Sequence, residues 1–212
     1  MNSFDPDLPL DRSLESVAAG LRGFAPTVRP PSLPATDVSY CVEDTVIGRM
    51  LLAADDTGAL VASTFVPDDA AESRLLERLS RAVSPRVLRL PGQLDGARRE
   101  LDAFLAGRSH GFTVRTDLAL ASPFQRMVLP RLAASVHYGE RATYGELARA
   151  VERPSASRAV GAALGANPLC VVLPCHRVVA SSGALTGYAG GLAAKEYLLE
   201  LEARGSAGDV GR

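Results

Sequence analysis

The residues of this chain best suited to chemistry are the neighbours Cys175 and His176, in the run Leu173-Pro174-Cys175-His176-Arg177-Val178. A cysteine attacks as its thiolate, and a nearby imidazole, which exchanges protons readily near neutral pH, favours that form. Adjacent residues of an extended strand point opposite ways, so the pair cooperates only if the backbone turns there. Pro174 restricts the backbone just before it. A cysteine in an apolar segment is by default a small buried side chain, so adjacency alone leaves both readings open. Cys170 and Cys41 read as buried apolar side chains, and His110 and His137 as surface or capping residues. Three cysteines are too few and too scattered for a disulfide framework and fit a reduced compartment. Neither CxxC nor HExxH occurs, so no metal site is expected.

The elements that must position this pair fall into two halves. Residues 1–36 read as an arm interrupted by Pro6, Pro9, Pro26, Pro30, Pro31 and Pro34, with room for a short helix only at Ser13–Leu21. Strand-like segments follow at Val38–Ile47, Met50–Ala54 and Ala59–Val66, with a turn at Asp55-Asp56-Thr57-Gly58. Amphipathic spacing predicts helices over Asp68–Val83 and Leu94–Ala106, the latter stopped by Gly107, with a further strand at Val87–Leu90. The second half is mostly helical. Ser122-Pro123-Phe124-Gln125 and Thr143-Tyr144-Gly145-Glu146 both spell capping boxes. The second opens Tyr144–Val151; Pro154 breaks the chain, and a helix from Ser155 or Ser157 to about Ala166 completes a helix-turn-helix. Leu169–Leu173 reads as a short extended segment, and Leu192–Ala203 as a closing helix ending before Gly205. The expected fold is an N-terminal α/β domain with a small, mainly antiparallel sheet (37–115) and a mostly helical C-terminal domain (116–205). The boundary falls within 107–121 and a short tail occupies 206–212.

With these elements laid out, the motif Pro174-Cys175-His176-Arg177-Val178 resembles the active-site sequence of the methylated-DNA–protein-cysteine methyltransferases, the O6-alkylguanine-DNA alkyltransferases. Thr143-Tyr144-Gly145-Glu146-Leu147-Ala148, Arg158-Ala159-Val160-Gly161, Asn167-Pro168, Ser181-Ser182-Gly183, Tyr188-Ala189-Gly190-Gly191 and Lys195-Glu196 fall in the family's order and spacing. The likeness is close over about 122–202 and extends to 38–121 only in pattern. It implies irreversible transfer of an alkyl group from O6-alkylguanine in DNA, or from O4-alkylthymine, to Cys175 as nucleophile, once and without a cofactor. It further implies that His176 takes the thiol proton through a water, that Glu196 holds the imidazole, and that Asn167 fixes the active-site turn. Tyr144 is implied as a hydrogen-bond donor to the leaving guanine, and Arg158 as the side chain entering the base stack. Leu164, Val178, Tyr188 and Ala189 are implied to line the pocket for the flipped base. Thr143, Ala156, Ser157, Ala159, Gly161 and Ser181 are implied as DNA contacts, through the minor groove of double-stranded DNA. Some family members carry a structural zinc in the N-terminal domain; this half lacks the Cys/His cluster to hold one.

Composition sets the remaining bounds. The net charge is −1, but 122–204 holds nine Lys/Arg against six Asp/Glu, so the basic part is the part with the motifs. Seven of the eleven residues Ala156–Ala166 are Ala or Gly, small enough to bring a backbone close to a narrow groove or to pack tightly in a core. No apolar run reaches the roughly 20 residues of a membrane span, and Met1–Leu10 lacks the pattern of a signal peptide. These features predict a cytoplasmic protein without a membrane partner, and a monomer is expected. Two competing readings are a non-catalytic binder of alkylated bases, whose relatives replace the nucleophile that Cys175 retains, and a helix-turn-helix regulator. The latter needs base-reading side chains that the Ala/Gly-rich helix scarcely offers.

Overall fold

The computed structural model describes residues 36–209; the expected arm, its short helix and the end of the tail lie outside that range. Three strands, β1 (Val38–Thr45), β2 (Gly48–Asp55) and β3 (Leu60–Phe65), pair antiparallel in sequence order, and β4 (Val87–Arg89) joins β1 in parallel. The resulting order is β3-β2-β1-β4. The sheet is mainly antiparallel, as its hairpin turns require. Strand β2 shows why its sequence, Met-Leu-Leu-Ala-Ala, is apolar throughout rather than alternating. Met50, Leu52 and Ala54 face one core and Leu51 and Ala53 the other, because both sheet faces are covered. Helix α1 (Asp69–Ala82), capped by Asp68, presses Leu75 and Leu79 onto the Leu51 face. On the opposite face, Leu101 and Phe104 of α2 (Asp95–Leu105) pack with Val128, Leu129 and Leu132 of α3 (Pro123–Ser135). That cluster continues to Leu198 and Leu201, so the sheet and the C-terminal helices share it.

The predicted capping boxes form. Ser122 and Gln125 close the start of α3, and Thr143 and Glu146 that of α4 (Tyr144–Ala150). Helix α5 (Ser157–Gly165) packs against α4 as the second arm of the helix-turn-helix. The buried Gln125 amide donates to the carbonyls of Ala163 and Ala166 at 2.9 and 2.7 Å, satisfying the end of α5. A two-stranded parallel ribbon, β5 (Ala142–Thr143) with β6 (Val178–Val179), ties the start of α4 to the segment after His176.

Two local expectations are corrected. Leu169–Leu173 is not extended: it coils into a turn closed by Leu173 N–H donating to Leu169 C=O at 2.8 Å. Val171 takes φ 71° there. A β-branched residue in the left-handed region is strained by about 1–3 kcal/mol and persists only where its surroundings enforce it. Helix α6 (Gly191–Asp209) does not stop at Gly205. That glycine lies against Tyr138, whose hydroxyl would be 2.6 Å from an added Cβ, so it permits close packing where a helix end was expected. A similar approach occurs at Gly190, where an added Cβ would run into the Phe65 ring. Gly190→Ala is therefore expected to lower stability by about 1–3 kcal/mol, since the ring must be displaced. A denaturant midpoint equal to that of the parent protein would contradict this.

Candidate active site

The turn that adjacency demanded is present: Pro174 is followed by a single 3₁₀ turn, Cys175–Arg177, which redirects the chain between the nucleophile candidate and β6. The preceding loop is held from within and from outside. Asn167 lies at its base, accepting from Leu169 N–H at 2.9 Å and donating to Leu173 C=O at 3.0 Å and to Cys175 Sγ at 3.2 Å. From the sheet, Ser63 donates its N–H to Pro168 C=O at 2.8 Å and its hydroxyl to Cys170 C=O at 2.9 Å. All these groups are buried, where unpaired polar atoms are costly, so the loop has one low-energy arrangement.

Cys175 is 4% exposed. Its thiol is held below the ordinary cysteine value by hydrogen bonds from Cys170 and Asn167 and by the Lys195 ammonium, which together outweigh the opposing effect of burial. Lys195, itself buried, donates to Val178 C=O at 2.6 Å and Thr186 C=O at 3.0 Å. Burial pushes its pKa down, while the nearby Cys175 pulls it up.

His176 is fully buried, and its partner is Glu202: Nε2 and Oε1 lie 2.8 Å apart. The expectation for Glu196 is corrected here, because Glu196 faces solvent on α6. The reason is helical phase. Lys195, Leu198, Leu199 and Glu202 repeat at three- and four-residue steps along the inward face, whereas Glu196 and Glu200 fall outside it. Glu202 also receives Nε and Nη2 of Arg177 at 3.0–3.1 Å, and these hydrogen bonds hold its carboxyl below the ordinary carboxylate value against burial. A carboxylate only accepts hydrogen bonds, so Nε2 of a neutral His176 must be the donor. That leaves the lone pair on Nδ1, a buried atom with no protein partner, as the ring's proton acceptor. Desolvation lowers the His176 pKa, with Glu202 working in the opposite direction, so the imidazole stands neutral and able to accept.

Outside this pair lies a cleft of about 1010 Å³. Thr143, Tyr144, Ser157, Arg158, Gly161, Ser181, Tyr188 and Ala189 line it, so the cleft gathers half of the residues singled out in the sequence. Tyr188 links the cleft to Cys175: it borders the cleft, while its hydroxyl is buried, without a protein partner, and close enough to Cys175 to feel its charge. Phe65 of β3 meets that ring edge-on at 5.5 Å. Tyr144 Oη lies 2.9 Å from Thr186 Oγ1, a cleft residue that the sequence reading passed over. Arg158 and Ala159 are exposed on α5, as are Ala162, Gly165 and Ala166; Val160, Ala163 and Leu164 turn inward. The small residues of α5 thus include an open face and are not only core packing. Ala156 precedes the helix, half-buried. Leu164 and Val178 sit in the core behind the cleft and do not border it.

Sequence reasoning missed Glu202, Lys195, Thr186 and Cys170. Two of them carried a signal: Lys195 and Glu202 are charged residues at positions seven apart on an otherwise apolar helix stripe. His137 caps a turn, its N–H donating to Glu140 at 2.8 Å, and His110 stacks on Tyr138. Cys41 is buried in β1. Among the described residues no group of three His, Cys, Asp or Glu is placed to hold a metal ion, and no helix is long and apolar enough to cross a membrane.

A buried cysteine held toward its thiolate, followed in the chain by a neutral histidine and neighboured by Tyr188 of a cleft that residues of a helix-turn-helix line, has the chemistry expected of a protein that uses a thiol at a DNA-binding surface. Comparison with known proteins agrees. Residues 123–204 match the family model described as "6-O-methylguanine DNA methyltransferase, DNA binding domain". The methylated-DNA–protein-cysteine methyltransferase of Mycolicibacterium paratuberculosis is 39% identical over 173 residues, covering 80% of this chain and 94% of the relative. That of Methanosarcina acetivorans is 37% identical, covering 77% and 97%. The crystal structure of Mycobacterium tuberculosis O6-methylguanine methyltransferase superposes with a TM-score of 0.67 at 37% identity, over 79% of this chain and 93% of that one. The Mycobacterium tuberculosis OGT structure in complex with DNA gives 0.67 at 36%, over 79% and 94%. The chain belongs to the methylated-DNA–protein-cysteine methyltransferase family.

Proposed function

We propose that this protein repairs DNA by direct reversal, moving an alkyl group from O6 of guanine in double-stranded DNA onto Cys175 in a single irreversible turnover. The observation that carries the reading is the buried Cys175 sulfur, held toward its thiolate and next in the chain to a neutral His176 anchored on Glu202. The reacting atom is a saturated carbon, so attack is a displacement at carbon, with no oxyanion to stabilise. The new S–C bond forms as the C–O6 bond breaks, and the electron pair leaves with guanine. The thiol proton passes to Nδ1 of His176 through a water, and Tyr144 donates to the departing base, stabilising charge that develops on the ring. A thioether offers no hydrolytic return, so each molecule acts once.

The target atom is reached only if the base leaves the stack, at a cost of a few kcal/mol. Arg158 fills the vacated space, and the Ala/Gly face of α5 approaches the minor groove with Thr143, Ala156, Ser157, Ala159, Gly161 and Ser181 along the contact. Tyr188 and Ala189 face the flipped base in the cleft, backed by Leu164 and Val178. Asn167 holds the loop in register. The protein works as a cytoplasmic monomer without a cofactor; O4-alkylthymine is a second substrate of the same chemistry. The test is to incubate the protein with a duplex containing one O6-methylguanine and determine the mass of the Cys175 peptide. One added methyl group in the parent protein and none in Cys175→Ala is the expected result. An unmodified peptide, with the duplex bound but unrepaired, would favour a non-catalytic binder instead.

A further inference from the structure

The side chain of Tyr144 is held at its ring and at its hydroxyl. The ring lies over Gly161 of α5, where an added Cβ would be 3.7 Å from Cδ1 and Cε1, an ordinary contact distance. The hydroxyl lies 2.9 Å from that of Thr186, and both residues line the cleft. Thr186 belongs to the segment between β6 and α6, and that segment is itself held. Its first part is a turn, with Gly183 N–H donating to Ala180 C=O at 2.9 Å and Ala180 N–H to Ala184 C=O at 3.1 Å. Its later part is anchored from α6: the Lys195 ammonium donates to Thr186 C=O at 3.0 Å and to Val178 C=O at 2.6 Å. Lys195 is buried, and a buried ammonium keeps its acceptors, since stranding a donor costs more than an ordinary bond gains. The backbone of Thr186 is thus set by α6 and by its own turn, while its side chain joins α4.

We infer that Thr186 is a positioning residue of the alkyl transfer, its hydroxyl donating to Tyr144 Oη so that the tyrosine hydrogen points at the departing guanine. The pair has two arrangements, because either hydroxyl can be the donor. With Tyr144 donating to Thr186, its only hydrogen is spent within the protein. Rotation of the two O–H bonds reverses the direction without moving a heavy atom. Thr186 then donates to Tyr144 Oη, and the tyrosine hydrogen is free for the base. A guanine in the cleft selects this arrangement by offering that hydrogen an acceptor. A donor on the phenol oxygen also strengthens the bond the phenol gives, since hydrogen bonds in series polarise one another. As the C–O6 bond breaks, charge grows on guanine and draws the tyrosine hydrogen toward it. The phenol oxygen becomes more negative, and the bond from Thr186 gains charge assistance. A bond that strengthens between bound substrate and transition state raises the rate of transfer and leaves affinity alone.

This role rests on the transfer to Cys175 proposed above, with Tyr144 assisting the departure of guanine. The full chain and its Thr186→Val, Thr186→Ser, Tyr144→Phe and Tyr144→Phe/Thr186→Val variants are given an O6-methylguanine duplex. Single-turnover transfer is followed at saturating protein, and duplex affinity is measured separately. Thr186→Val keeps the shape and removes the hydroxyl. It is expected to slow transfer roughly three- to tenfold, the worth of one hydrogen bond, with affinity unchanged. Thr186→Ser, which retains the hydroxyl, should return most of the rate. In the Tyr144→Phe background Thr186→Val should cost less than about twofold, because no hydroxyl is left to orient. Thr186 is exposed, so its variants disturb no core group. A full effect of Thr186→Val in the phenylalanine background would overturn the inference, as would a serine variant as slow as the valine one. So would a loss carried by affinity alone, which points to a DNA contact. Iodoacetamide alkylates Cys175 with no guanine to expel, and its rate should be the same in the parent and the valine variant. Parallel slowing there would put the effect at the sulfur and also overturn the inference. Transfer at equal rates in parent and valine variant sinks the role of Thr186 alone. An absence of transfer in the parent protein sinks the repair reaction and the role of Thr186 with it.

Discussion

Glu202→Ala is expected to lower stability by about 3–5 kcal/mol, because it strands the buried Arg177 without its counter-charge. The carboxylate is 1% exposed and bonds His176, Arg177 and the backbone N–H of Gly139, so four donors lose their acceptor together. Glu196→Ala, on the exposed side of the same helix, should stay within about 0.5 kcal/mol of the parent protein. Chemical denaturation of the two variants side by side makes the comparison; equal losses would refute the assignment of Glu202. Acidification probes the same group from another side. The His176 pKa is lowered on folding, so the unfolded chain takes up protons first, and stability should decline as pH falls below the ordinary histidine value of 6.5. Glu202 is also lowered, so its contribution is present above the ordinary carboxylate value of 4.5 and is lost as pH falls below it. A stability curve flat between pH 7 and 4 would be inconsistent with both.

Arg158→Ala should slow repair of duplex DNA by roughly 30- to 150-fold, since about 2–3 kcal/mol of base extrusion is then left without its offset. Reaction with free O6-benzylguanine, which has no stack to leave, should change by less than about twofold if Arg158 acts only on the stack. The position supports this division of labour. Arg158 is exposed on the outer face of α5 at the mouth of the cleft, whereas the groups that tune Cys175 come from the loop 167–174, the 3₁₀ turn and α6. Parallel slowing of both reactions, measured as single-turnover rates, would place Arg158 in the chemistry and not in base displacement. A fall in duplex affinity that fully accounts for the rate would assign it to backbone binding.

The capping boxes at Ser122 and Thr143, the hairpins of the sheet and the helix-turn-helix were legible in the chain because each depends on contacts within a few residues. So was the pairing of Cys175 with its neighbouring histidine, since the motif sets the two side by side and the family likeness orders the segments around them. What failed were statements that depend on distant partners. Glu196 and Glu202 are equivalent until α6 is docked and its phase decides which carboxylate meets the imidazole. Gly205 is a plausible helix stop until Tyr138 is found packed against it. Leu169–Leu173 has the composition of a strand, yet Asn167 and Ser63 hold it in the turn that leads into Cys175. Local free energies are readable from neighbouring residues. The protonation of this site is not, because it is set by buried charges and donors contributed from the active-site loop, the 3₁₀ turn and α6, and only the folded chain brings those into one low-dielectric space.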